Sequence, residues 1–140
     1  MKLFNHFIKI WSSRHVNAGL STRLPDYGQK YWLSTLETSI TKFKKLNFLD
    51  IGAGDGRLTS LLLSYDKTAL GTAIEVRTKL DIWQSIIDSN FGRVTQLDGL
   101  LQEHLKSLHD FNFIILSEVF EHIPTADVPN FLIDLNRITL

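Results

Sequence analysis

The sequence predicts an α/β fold, a parallel sheet with helices on both faces. Three observations carry this. Short apolar runs alternate with helical stretches four times between Phe48 and Ile138. The runs lead into Gly52–Gly56, Glu75, Asp98 and Ser117, where strand-to-helix turns are expected. The fourth run, Phe111–Leu116, has a continuous apolar core, as a strand covered on both faces requires. Strands that alternate with helices pair in parallel, and right-handed crossovers leave few topologies.

Leu3, Phe4, Phe7, Ile8 and Trp11 share one helical stripe, with Lys2, Asn5, His6 and Lys9 opposite. The first eleven residues are therefore expected to form a helix docked on the domain. Turns are expected at Asn17–Gly19 and Leu24–Gly28. From Gln29 to Lys45, Tyr31, Trp32, Leu36 and Ile40 recur at helical spacing. Residues 1–47 thus read as a helical segment, and 48–140 as the main domain.

In that domain Phe48–Gly52 reads as a buried strand ending in glycines, and Arg57–Ser64 as a leucine-rich helix. Thr68–Val76 is the second strand. Thr78–Asp88 is helical, with Leu80, Trp83, Ile86 and Ile87 on one face. Arg93–Leu97 is the third strand, Leu100–Leu108 a short helix, and Phe111–Leu116 the fourth strand. Asp127–Ile138 closes the chain as a helix whose start is marked by Pro124 and Thr125.

The 140 residues suffice for one core. The absence of cysteine excludes disulfides, cysteine-ligated zinc and a cysteine nucleophile. The runs Leu61–Leu63 and Phe113–Leu116 fall far short of the ~20 residues that span a bilayer. His6 and Lys9 interrupt the first apolar stretch, so no signal peptide is read, and a cytoplasmic protein without membrane contact is expected. Net charge is zero, yet residues 1–47 carry eight Lys or Arg against Asp26 and Glu37. A basic arm on an acidic body can attract an anion such as RNA. The plainer account is a set of solvated helix faces, since no block of five like charges occurs.

The most informative segment is Leu49-Asp50-Ile51-Gly52-Ala53-Gly54-Asp55-Gly56-Arg57. Glycines at a strand-to-helix turn permit positive φ and close approach of a ligand. The dinucleotide fingerprint G-x-G-x-x-G places a pyrophosphate on the helix N-terminus. Here the third glycine comes one residue early, and Asp50 and Asp55 crowd the loop. Carboxylates repel a pyrophosphate but suit a cationic ligand. In an open parallel sheet, ligands sit outside the carboxyl ends of the strands at the switch point.

From about Phe48 to the last residue the chain resembles the class I S-adenosylmethionine-dependent methyltransferases, through D-x-G-x-G-x-G closing the first strand. The resemblance implies a Rossmann-like domain with S-adenosyl-L-methionine as cofactor. It places Asp50 near the cofactor's amino group and passes Gly52, Ala53, Gly54 and Gly56 beneath it. It gives Glu75, 21 residues beyond Gly54, to the ribose hydroxyls, Asp98-Gly99 to the adenine, and Ser117 to the methionine end. Each acid alone is equally an ordinary strand end or turn. Their succession in family order is what points to a site.

Ser117-Glu118-Val119-Phe120-Glu121-His122 also resembles the segment that follows the family's fourth strand. Glu118, Glu121 and His122 have i, i+3, i+4 spacing. The same spacing supplies metal ligands in the Hen1-like small-RNA 3′-end 2′-O-methyltransferases, but it also occurs in many metal-free methyltransferases of metabolites. The larger second group favours no metal and a small-molecule substrate, with RNA as the alternative. His122 and Glu118 are the nearest bases, and neither is assigned a role. The family sheet has seven strands, of which four are readable. The fourth strand is therefore expected to have an unpaired edge. A fragment, a truncated product or a partner that completes the sheet each accounts for this, and an inactive binding module remains a rival to the enzyme.

Overall fold

The computed structural model describes residues 7–10, 37, 39–77, 80–117 and 119–140. It divides into two units, residues 1–11 with 45–140, and residues 12–44. In the smaller unit Glu37, Ser39 and Ile40 are helical and lead into a turn at Thr41–Lys42. The earlier part of the helix expected from Gln29, and the two turns before it, lie outside the described residues.

The larger unit holds a five-stranded, all-parallel sheet. Its strands are β1 (Phe7–Ile10), β2 (Asn47–Ile51), β3 (Leu70–Glu75), β4 (Val94–Asp98) and β5 (Phe113–Ser117), in the order β1-β5-β2-β3-β4. The helices are α1 (Arg57–Tyr65), α2 (Leu80–Ser89), α3 (Leu101–His104) and α4 (Val128–Ile138). A 3-10 turn covers Phe120–His122. The expected α/β order of four strands and four helices is present. Helix α3 is shorter than expected. It stops where the His104 carbonyl accepts both the Ser107 amide (2.9 Å) and the Ser107 hydroxyl (2.9 Å), a local competitor for the helical ladder.

Alternation along the strands sends Leu49, Ile51, Ile74, Ile114 and Leu116 into one apolar cluster, where Leu101, Phe131, Leu135 and Ile138 cover them. Burying each such side chain contributes about 1.5–3 kcal/mol. Asp50 and Thr59 are buried too and hydrogen-bond each other. Strand β2 has β3 on one side and β5 on the other, so the chain order reverses between β2 and β5. A pair of asparagines ties these two strands at their amino ends. The Asn47 amide donates to Asn112 Oδ1 (2.9 Å) and the Asn112 amide donates to the Asn47 carbonyl (3.0 Å). Their side-chain amides donate to the Asp110 carbonyl (2.9 Å) and the Lys45 carbonyl (2.7 Å).

Two expectations are corrected. Residues 7–10 are a strand, not part of a helix, and Phe7 to Ile10 pair in parallel with Ile114 to Ser117. The edge of β5 is therefore covered rather than open. The physical reason is common to both. A strand edge presents a row of unpaired amides and carbonyls, and the short apolar run Phe7-Ile8-Lys9-Ile10 suits a strand as well as a helix. Residues 1–6 and Trp11 of the expected helix lie outside the described residues. At the other end, the Phe111 amide donates to the Ile138 carbonyl (3.1 Å) and the Leu140 amide donates to the Phe111 carbonyl (3.0 Å). This forms a parallel bridge between Phe111 and Thr139.

Candidate functional site

Strand register sets the site. Ile51 stands opposite both Ile74 and Leu116, and Glu75 stands opposite Asp98. The next residues, Gly52, Glu75 and Ser117, are therefore level with one another and with Asp98. Four residues named from the sequence thus form one row across β5, β2, β3 and β4, at the carboxyl end beside the switch point. Ser117 is placed by its backbone only.

The glycine loop crosses above this row. Gly52, Gly54 and Gly56 have φ of 71°, 57° and 75°, a left-handed conformation that glycine adopts without strain. The Gly52 and Ala53 amides donate to the Ile74 carbonyl (2.9 and 3.1 Å), which anchors the loop to β3. The Gly54 amide donates to Glu75 Oε2 (2.7 Å), and the Arg77 amide donates to Glu75 Oε1 (3.0 Å). A carboxylate has about four acceptor sites, more than these two amides use.

Gly54 and Gly56 differ in what surrounds them. A Cβ at Gly54 meets nothing within 4 Å. At Gly56 it would come 2.5 Å from Ile86 Cδ1 and 3.0 Å from Trp83 Cη2. Gly54 thus leaves open space for a ligand, whereas Gly56 admits α2. Trp83, fully buried, donates its indole N–H to the Gly54 carbonyl (3.0 Å). Sequence reasoning placed Trp83 on the apolar face of its helix and missed this anchor. The available signal was the indole N–H, which seeks an acceptor when buried.

Asp50 lies one full alternation below the rim, opposite Ala73 and Ile115. Its Oδ2 accepts the Thr59 hydroxyl (2.7 Å), while its buried Oδ1 has no hydrogen-bond partner among the described residues. Burial pushes its carboxyl from 3.8 up to about 6, against hydrogen bonds from Thr59 that lower it and with a smaller push from the Glu75 charge. Asp55 is occupied by Arg57, whose Nε lies 2.7 Å from Asp55 Oδ2. The acids beneath and beside the loop are therefore Asp50 and Glu75.

A cleft of about 560 Å³ opens beside the row, lined by Gly52, Glu75, Val76, Gly99, Leu100 and Val119 among others. Val76 (53% exposed) and Leu100 (56%) are apolar side chains left to solvent on its walls. Gly99, with φ 114°, lines the cleft, and Asp98 does not. The Asp98 carbonyl is bonded to His104 Nε2 at 2.8 Å. A second cleft of about 510 Å³ adjoins the first through Ile51, Leu100, Leu101, Val119 and His122. Its other lining residues include Gln102, Asp127, Asn130 and Asp134. Glu121 and His122 are exposed in the 3-10 turn, and Glu118 lies outside the described residues. Among the described residues no three His, Asp or Glu side chains group as metal ligands. Nor, among them, is any helix long and apolar enough to cross a membrane.

Parallel strands, a left-handed glycine loop and an acid on the neighbouring strand define a Rossmann-like fold. Solved structures agree on the fold. A precorrin-6y C5,15-methyltransferase from Geobacter metallireducens superposes with a TM-score of 0.53 at 20% identity, over 71% of this chain and 50% of its own. WbdD, solved with a kinase inhibitor, gives 0.64 at 24% identity, over 82% and 28%. The methyltransferase domain of a bacterial Hen1 gives 0.51 at 21% identity, over 71% and 55%. The chain therefore spans about half the length of these proteins or less. No family model and no curated protein matches it.

Proposed function

We propose that this chain is the S-adenosylmethionine-binding part of a methyltransferase that acts on a small molecule. The observation that carries the reading is the pairing of Gly54 with Glu75. The loop is held by a carboxylate at ribose height and leaves open space above Gly54.

The residues fit the cofactor as follows. Glu75 accepts the two vicinal ribose hydroxyls, and Val76 with Leu100 flanks the adenine ring. Gly99, in the cleft wall, borders its amine edge, and Ser117 borders the methionine end. Asp50, beneath the loop, supplies negative charge near the cofactor's ammonium. When bound, the cofactor supplies an electrophilic methyl group on a sulfonium, which reacts by direct displacement. The chain's own residues position the reactants and exclude water. A base is needed only where the acceptor must lose a proton. His122 stands on the wall common to both clefts and is the one titratable residue among those that line both.

The adjoining cleft supports a small-molecule acceptor. Its volume falls in the usual range for such ligands, ~300–1,000 Å³. Its lining includes Asp127 and Asp134 and no Lys or Arg, whereas a phosphate backbone calls for cations. Calorimetry with S-adenosylhomocysteine and with NAD tests the cofactor. Saturable binding of the first alone supports the reading. Binding of NAD alone, or of neither, overturns it.

A further inference from the structure

One wall of the first cleft is made where β4 runs into α3, at Asp98, Gly99 and Leu100. Gly99 and Leu100 line the cleft. Leu100 is 56% exposed, so burial of its own side chain does not hold it in place. Helix α3 is a single turn of four residues, too short to fix its entry by a ladder of its own.

Three hydrogen bonds fix that entry instead. The Gly99 amide donates to the Glu75 carbonyl (3.1 Å), which ties the wall to β3. The Leu100 amide donates to Glu103 Oε2 (2.7 Å), a bond strengthened by the carboxylate charge. The Asp98 carbonyl is bonded to His104 Nε2 (2.8 Å), and because a carbonyl only accepts, that nitrogen carries the proton. Two adjacent side chains thus reach back from α3 and grip the peptide units on either side of Gly99. Neither Glu103 nor His104 lines the cleft. Gly99 itself leaves the space that this grip needs. A Cβ there, where φ is 114°, would fall on Glu103 Oε2 and displace it from the Leu100 amide.

We infer that Glu103 and His104 are positioning residues for the adenine end of the cofactor. They touch no ligand. They set where Leu100 stands relative to Val76, the other exposed apolar residue on the cleft walls, and so the width of the slot that a flat purine ring enters. The inference rests on the reading that the cleft holds S-adenosylmethionine.

The test compares the parent chain with Glu103→Ala, Glu103→Gln and His104→Phe. S-adenosylhomocysteine affinity is measured by calorimetry. At saturation, NMR cross-relaxation is measured from the adenine protons to the methyl groups of Leu100 and Val76. In the parent both residues should show cross-peaks. Glu103→Ala and His104→Phe should each weaken binding by about threefold to tenfold, as the loss of one such hydrogen bond implies. Each should also lower the Leu100 signal relative to that of Val76. Glu103→Gln keeps an acceptor of the same reach and should restore both values. Should Glu103→Ala fail to fold, His104→Phe, which leaves Glu103 in place, decides the same question. A merely structural role would lower the melting temperature and leave the ratio of the two signals unchanged. That result overturns the inference, as does a Gln variant no better than Ala, or a parent that binds without a Leu100 signal. A parent that does not bind S-adenosylhomocysteine overturns the cofactor reading and this inference with it.

Discussion

Glu75 and Gly54 are joined across the mouth of the crevice, the loop amide donating to the carboxylate at 2.7 Å. The same loop residue is held from the other side by the Trp83 indole at 3.0 Å. The open position at Gly54 is thus fixed by neighbours on β3 and α2. Binding groups held in advance spend less free energy on ordering when a ligand arrives.

Glu75→Ala should remove the ribose acceptor. We expect S-adenosylhomocysteine to bind more weakly by about 1.5–3 kcal/mol, the range for hydrogen bonds to a charged group. A 2′-deoxy analogue should lose affinity for the parent chain and lose little more for the variant. Calorimetry on this four-way comparison decides it. Equal losses in both proteins would show that Glu75 serves the loop only.

The two later glycines should fail differently. Gly54→Ala should stay folded, because the added carbon meets nothing, with a backbone cost of about 1–2 kcal/mol for left-handed φ. Its cofactor affinity should fall steeply. Gly56→Ala should add about 1–3 kcal/mol of overpacking against Ile86 and Trp83. Thermal denaturation with ligand titration separates the two. A Gly56→Ala chain as stable as Gly54→Ala would contradict the packing.

Trp83→Phe keeps most of the buried ring and deletes one hydrogen bond. It should destabilise the chain by about 1 kcal/mol and weaken cofactor binding by freeing Gly54. A variant that loses stability but binds as well as the parent would confine Trp83 to packing.

Asp50 makes stability depend on pH. Its carboxyl is near 6 in the folded chain against an ordinary 3.8, so the native state holds a proton that the unfolded state has released. This contribution is fully present below 3.8 and is lost as pH rises through about 6. At 1.36 kcal/mol per unit it amounts to roughly 3 kcal/mol. Urea denaturation between pH 4 and 7 should show the decline, and Asp50→Asn should flatten it. A variant with the parent's slope would assign the effect elsewhere.

Much of this is legible in the sequence alone. Strand ends at Gly52, Glu75 and Asp98 are readable because each apolar run stops at a glycine or an acid that leads into a turn. Their alignment followed, since parallel strands entering helices expose their carboxyl ends on one side. Other features depend on contacts that no local pattern encodes. Gly54 and Gly56 look alike in sequence and differ only because α2 packs on the second. The depth of Asp50 depends on Thr59 closing over it from α1. Residues 7–10 illustrate the sharpest limit. Four residues with one lysine fit either periodicity, and a strand edge more than a hundred residues away decided between them.

The asparagine pair at the far end of β2 and β5 bears on how such a domain diversifies. Parallel neighbours share no hairpin, so nothing in the covalent chain forbids a slip of one residue between them. A slip would turn Leu49 and Ile51 out of their cluster and carry Gly52 out of level with Ser117. Asn47 and Asn112 block it from about 16 Å below the rim, at ~3.3 Å per residue. Alignment of the rim is therefore inherited from a place that touches no ligand. Loops above it can drift or lengthen without endangering the frame while two asparagines keep the strands in step.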